Sequence, residues 1–208
     1  DFKKILAYSS VSHLGFVMLG IFALTVQSVQ GALLVMINHG LSTGALFLLV
    51  GMIYERRHTR MLSDYGGIAR VVPLFAAALT IVSFSSIGLP GLNGFVGEFL
   101  VLLGTFRSYP AFAFFATIGI IFSAWYLLRA IQGVIFNKLD NPDNEHIPDL
   151  NWREIGLLTP LIACMIWIGV YPAPILRRMQ ASAEQVVRTV QSAALDGPQR
   201  VSTLKGGE

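Results

Sequence analysis

Charge is scarce in this sequence. Charged residues make up 13% of it and hydrophobic residues 54%, against the roughly 25% charge of an ordinary soluble domain. With a mean hydropathy of +0.63, this balance excludes a soluble domain and points to an integral membrane protein. Cysteine is nearly missing: Cys164 stands alone in an apolar run, which excludes a disulfide framework. The net charge is only +3, and no stretch interleaves basic and aromatic residues, so no nucleic-acid partner is expected. Metal-ligand spacing and a nucleophile–base constellation are lacking too. GLPGLNG is glycine-rich, but it follows no predicted strand, so a nucleotide loop is excluded. No initiator Met or signal-peptide layout stands at Asp1, and the chain reads as a fragment or as one piece of a divided subunit.

What is present is a series of apolar runs, at roughly 8–26, 31–53, 71–106, 111–136 and 154–171. A helix needs about 20 apolar residues to cross the hydrocarbon core of a membrane. None of the runs has the strict alternation of a barrel strand. The expected fold is therefore all-α, with about five transmembrane helices forming one bundle over residues 1–176. Residues 177–208 are expected to add an amphipathic helix, ended by Gly197 and Pro198, and a mobile tail. The connections alternate in charge. Arg56, Arg57, Arg60 and Arg70 fill the second, whereas the fourth is acidic, with Asp140, Asp143, Glu145 and Asp149. The positive-inside rule places the basic connection in the cytoplasm or its equivalent. The first span then runs outward and the C-terminus lies outside, although Arg177 and Arg178 pull the other way. Lipid is the expected surroundings.

The third run cannot be one ordinary span. As a straight helix, 71–106 would be about 54 Å long against a core of about 30 Å. The stretch SSIGLPGLNGFVGEFLVLLG places Gly88, Pro90, Gly91 and Gly94 in its middle. Proline removes a backbone donor and clashes with the preceding turn, so a break near 88–94 is expected. Broken backbone is tolerated at membrane depth only in a protein interior or beside a water-filled cavity. Glu98 follows directly, the one acidic residue well inside an apolar run. An ionisable group beside a discontinuous helix is the pattern of transporter ion sites. The bland reading is a neutral Glu that pins two helices.

Two spans carry a histidine. His13 follows Ser9 and Ser10 by four and three residues, and His39 precedes Ser42 and Thr43 by the same spacings. Each set shares a helix face, which predicts interior histidines with hydroxyl neighbours. They serve either as packed polar groups or as proton carriers. Arg129 lies about two turns before the end of its span. It either snorkels or joins an interior chain of charges, and the second reading is preferred.

DFKKILAYSSVSHLGFV, INHGLSTGALFLLVGMIYERRHTR and GLPGLNGFVGEF together resemble the antiporter-like M subunits (chain 4 in mitochondria) of NADH:quinone oxidoreductase, respiratory complex I. The resemblance runs from residue 1 to about residue 176. It implies a fold of fourteen transmembrane helices built on two inverted five-helix repeats, of which this chain holds the last five spans: most of the second repeat and the final helix. It implies that the break is that repeat's discontinuous helix and that Glu98 is its ionisable residue, where sister subunits and related antiporters usually carry Lys. His13 and His39 match histidines of the central polar axis, and Lys3 matches a basic residue that helps proton entry.

The resemblance further implies proton translocation driven by redox chemistry elsewhere. Flavin, iron–sulfur clusters and quinone are expected in other subunits, with no cofactor or metal in this chain. The implied partners are other membrane subunits of complex I, especially neighbouring antiporter-like ones, and the upstream half of the same subunit, which would carry the first repeat's Glu and two Lys. The implied location is a bacterial cytoplasmic membrane or the mitochondrial inner membrane. Alternative readings are a subunit of a multisubunit sodium/proton antiporter, a subunit of a proton-pumping membrane-bound hydrogenase, and a non-catalytic scaffold.

Overall fold

A computed structural model describes residues 1–205, with side chains through Ala194. Seven helices make the bundle: α1 (Phe2–Phe22), α2 (Val26–Arg57), α3 (Pro73–Ser86), α4 (Asn93–Ser108), α5 (Pro110–Ile131), α6 (Trp152–Val170) and α7 (Ala173–Lys205). Among the described residues there is no strand. α1, α2, α5 with its extension to Phe136, and α6 are each long and apolar enough to cross a membrane. α3 and α4 together make the discontinuous fifth span.

α1 and α2 start earlier than hydropathy alone predicts, because their caps lie in polar sequence. Asp1 accepts from the Lys4 amide, so α1 begins at Phe2 and takes in Lys3 and Lys4. Thr25 and Ser28 form a reciprocal capping box, and α2 begins at Val26 in place of residue 31. Such side chains satisfy donors that a helix start leaves free. Pro73 and Pro110 each occupy the start of a helix, where the missing N–H costs nothing. α7 starts before the expected residue 177 and passes Gly197 and Pro198, which were expected to end it. A single proline removes one donor and can be carried as a kink. The mobile tail expected beyond it falls partly on residues 206–208, outside the described residues.

α2 is the hub. It packs against α1, α3, α4, α6 and α7. Its second half joins α3 and the end of α5 around Leu46, Leu49, Leu79, Val82, Leu127 and Ile135. Its first half meets α1 and α4 through Phe16, Val17, Ala32, Val35 and Val101. At the same end, Val29 packs on Ala183 and Val187 of α7. The C-terminal helix therefore lies at the end of the bundle opposite the Arg-rich connection, as alternation of the spans requires.

At the basic end, the acidic fourth connection meets the basic second one. Arg56 is 2.6 Å from Glu154, which also accepts from the Asn151 amide, and Arg56 donates to the carbonyls of Met52, Pro148 and Asp149. Arg57 donates to Asn144 and pairs with Asp143. Tyr65 donates to the Thr59 carbonyl at 2.7 Å, and burial pushes its phenol up to about 12, so it remains a donor at any ordinary pH. Arg56 and Glu154 are nearly buried, at 13% and 11% side-chain exposure. Removing one partner of such a pair strands the other charge. Arg56→Met is expected to destabilise the chain by about 3 kcal/mol, read as a lower temperature for thermal loss of the folded protein. Arg56→Lys should fall between, since an ammonium keeps the charge but cannot span the same set of acceptors.

Candidate functional site

The break between α3 and α4 is built by three residues. Gly88 and Gly91 adopt φ of +77° and +93°, a region that L side chains resist, and Pro90 lies between them. The turn satisfies its own backbone: Ile87 donates to the Ser83 carbonyl, Leu89 to Phe84 and Leu92 to Leu89. The helix resumes at Asn93, and Glu98 lies in its second turn, 7% exposed. A Cβ on Gly88 would stand 2.7 Å from Glu98 Oε2. The bare α-carbon at the bend therefore makes room for the carboxylate.

His13 faces this carboxylate. Its Nδ1 is 3.3 Å from Glu98 Oε1, and its Nε2 is 3.4 Å from the Ser86 hydroxyl. His39 lies beside His13, half-buried, with ring centroids 5.1 Å apart and planes tilted at 41°. Its Nδ1 is 2.9 Å from the Thr43 hydroxyl. Both histidines stand near the middle of their helices, and neither helix has another titratable residue at that depth. His13, His39 and Glu98 line one cavity of about 10 Å³, together with Asn38, Ser42, Ser85 and Ser86. That is room for about one water molecule.

The hydroxyl neighbours differ from those the spacing predicted. Thr43 does serve His39. Ser10 spends its proton on the Leu6 carbonyl of its own helix, and the hydroxyl beside His13 is Ser86, from α3. Ser42 turns away from His39 to meet Ser85 at 2.7 Å. Lys3 is exposed in the first turn of α1, about 15 Å along the axis from His13. Arg129 is exposed on α5 and makes no ion pair among the described residues, so the interior partnership expected for it is not formed in this chain. Leu127 and Ala130 turn inward on that helix, and the helical period carries Arg129 off their face. Sequence reasoning missed Asn38, Asn93, Ser85 and Ser86 as members of the cluster. Their one signal was that each is a polar residue within an apolar span.

The arrangement can hold and pass a proton. A carboxylate and an imidazole lie within reach of one another beside a small, partly open cavity, with a second, tilted imidazole next to them. No group of three or more metal-ligating side chains occurs among the described residues.

The family described as NADH:quinone oxidoreductase/Mrp antiporter, TM matches residues 1–123. The chain belongs to this family. It is 43% identical over 188 residues to the NADH-quinone oxidoreductase subunit M of Rhodobacter capsulatus, covering 90% of this chain and 37% of that protein. It is 39% identical to the NADH-ubiquinone oxidoreductase chain 4 of Chondrus crispus, covering 91% and 39%. The fold superposes on a chain of respiratory complex I from Thermus thermophilus with a TM-score of 0.85, at 36% identity and over 90% of this chain and 39% of that one. A chain of the Mrp complex from Dietzia sp. DQ12-45-1b shares the fold at a TM-score of 0.77 and 18% identity, over 88% and 42%. The chain thus spans about two fifths of the length of the relatives it matches. Like the family, it is an integral membrane protein.

Proposed function

We propose that this chain is the C-terminal part of an antiporter-like, proton-translocating subunit of NADH:quinone oxidoreductase, and that Glu98, His13 and His39 carry its protons. The observation that carries the reading is the buried contact of His13 Nδ1 with Glu98 Oε1 at 3.3 Å, at the bend of the discontinuous helix. An ionisable pair at such a bend has little structural justification in a bundle otherwise packed with aliphatic and aromatic side chains.

In this scheme the His13 imidazole hands its Nδ1 proton to the Glu98 carboxylate. The neutral ring, its Nε2 still facing Ser86, is then reprotonated from the direction of His39. No hydrogen bond joins the two imidazoles among the described residues, and the cavity they share has room for one water to bridge them. A change of charge in a neighbouring repeat of the same assembly shifts the balance between His13 and Glu98 and releases the proton onward. Lys3 lies where it can assist proton entry at the end of the helix, and Arg129 remains available to a partner outside this chain. The redox cofactors and the quinone belong to other subunits, so the enzymatic role of this chain is translocation.

The experiment is NADH-driven acidification in membrane vesicles that carry the whole complex, normalised to assembled complex. His39→Gln, which keeps a polar side chain but cannot titrate, is expected to slow acidification by roughly tenfold. Wild-type acidification by this variant would remove His39 from the path.

A further inference from the structure

Beside the relay lies a set of polar contacts that the relay does not use. Ser85 donates its hydroxyl proton to Asn93 Oδ1, because an amide oxygen can only accept. Ser85 has no second proton to give, so the 2.7 Å contact between Ser42 and Ser85 must have Ser42 as donor. Ser42 in turn accepts from Asn93 Nδ2 at 3.4 Å. The three side chains therefore close a ring: Asn93 to Ser42, Ser42 to Ser85, Ser85 to Asn93. The ring has one direction. Reversing it would need the Asn93 amide to turn over, which would set its Oδ1 against the Asn38 carbonyl that Nδ2 now reaches.

The ring joins three separate helices, with Ser42 on α2, Ser85 at the end of α3 and Asn93 at the start of α4. All three residues are at most 3% exposed. Asn38 of α2 reinforces it by donating to the Asn93 carbonyl at 2.6 Å, and Asn93 Nδ2 reaches the Asn38 carbonyl at 3.5 Å. The first turn of α4 is pressed onto these groups. A Cβ on Gly97 would stand 3.3 Å from Asn38 Nδ2, and Glu98 is the next residue.

We propose that Ser42, Ser85 and Asn93 form a one-way hydrogen-bonded ring that clamps both halves of the broken helix to α2 and so sets the distance from Glu98 to His13, without itself carrying protons. A hydroxyl chain next to a proton path would ordinarily offer a side exit. Here each hydroxyl proton is committed to the next member of the ring, so the ring positions Glu98 and leaves no free hydroxyl proton as an exit. The titratable groups that share the cavity with Glu98 are His13 from α1, which touches it, and His39 from α2. α3 presents only hydroxyls to the cavity, and no titratable residue of α5 or α6 lines it.

The clamp rests on the relay reading for its consequence, and the test separates the two. Ser42→Ala, Ser85→Ala, the double variant and Ser42→Thr are compared in the assembled complex by acidification rate per complex and by backbone amide exchange at residues 93–97. Either alanine opens the ring. Each single variant is therefore expected to slow acidification about tenfold and to speed exchange at 93–97 about tenfold, and the double variant should be no worse than either. Ser42→Thr keeps the hydroxyl and should restore most of both. Losses that multiply to about a hundredfold in the double variant would overturn the ring, since independent hydroxyls behave that way. Unchanged exchange or wild-type acidification in either single variant would overturn it as well. Ring variants that slow acidification while Glu98→Gln pumps normally would sink the relay and leave the clamp standing. Ring variants that pump normally while Glu98→Gln is inactive would sink the clamp alone.

Discussion

Glu98→Gln assembles normally and loses most proton translocation, by about tenfold or more, with quinone reduction falling in step where coupling is tight. Gln is nearly the size of Glu, so the pocket beside Gly88 stays filled. Its amide can still accept a hydrogen bond from His13, so a Glu that merely pinned two helices would survive the change. What Gln cannot do is take up and release a proton. Glu98→Asp keeps the carboxylate but withdraws it by about one methylene from His13. It is expected to retain part of the activity. Glu98→Ala is the less informative variant, because it also opens a cavity. The measurement is NADH-driven acidification per assembled complex. Wild-type acidification by the Gln variant would make Glu98 a structural pin and end the translocation reading.

Gly31→Leu is expected to abolish accumulation of the folded subunit. α2 and α4 form the most extensive helix pair of the bundle, and Gly31 lies where they touch. A Cβ there would stand 2.6 Å from the Val101 backbone nitrogen and 3.0 Å from the Gly97 carbonyl oxygen. Those atoms belong to a helix backbone and cannot swing aside as a flexible side chain would. Overpacking a core typically costs about 1–3 kcal/mol when side chains can yield, and here the helices themselves must part. Separation of α2 from α4 would also carry Asn38 and Ser42 away from Asn93. Gly31→Ala should show a partial defect in the same direction. The amount of subunit in the membrane fraction reads the effect, and a fully accumulating Leu variant would mean that α4 can be displaced without cost.

The break and its carboxylate were legible in the sequence, because both rest on local facts: a run too long for one crossing, and a cluster of glycine and proline just before one acidic residue. The interior placement of His13 was legible for the same reason, since a polar stripe on an apolar helix has few places to go, whereas His39 is only half-buried. The contact between His13 and Glu98 was not legible without a family comparison, because 85 residues of chain separate the partners. The cluster of Asn38, Ser42, Ser85 and Asn93 was harder still. Its members come from three helices, and a lone serine in an apolar span ordinarily satisfies itself on the preceding turn, as Ser10 does. Hydropathy also set the helix starts too late, since caps such as Thr25 and Asp1 lie in polar sequence. For Arg129 the choice was between snorkelling and an interior partner, and only the packing of α5 shows which way it faces.

The pairing of Arg56 with Glu154 has a consequence for biosynthesis. The two residues are 98 positions apart, so at about 5–20 residues per second the carboxylate leaves the ribosome about 5–20 seconds after the guanidinium. Through that interval Arg56 is a bare charge, and it can anchor the nascent hairpin of α1 and α2 on the side of the bilayer that retains arginine. Once Glu154 arrives, the same charge is neutralised and becomes a staple between α2 and α6. One side chain thus acts twice, first as a signpost and then as a fastener. Loss of Glu154 would touch only the second role, leaving the early helices correctly oriented and the finished bundle unfastened at one end.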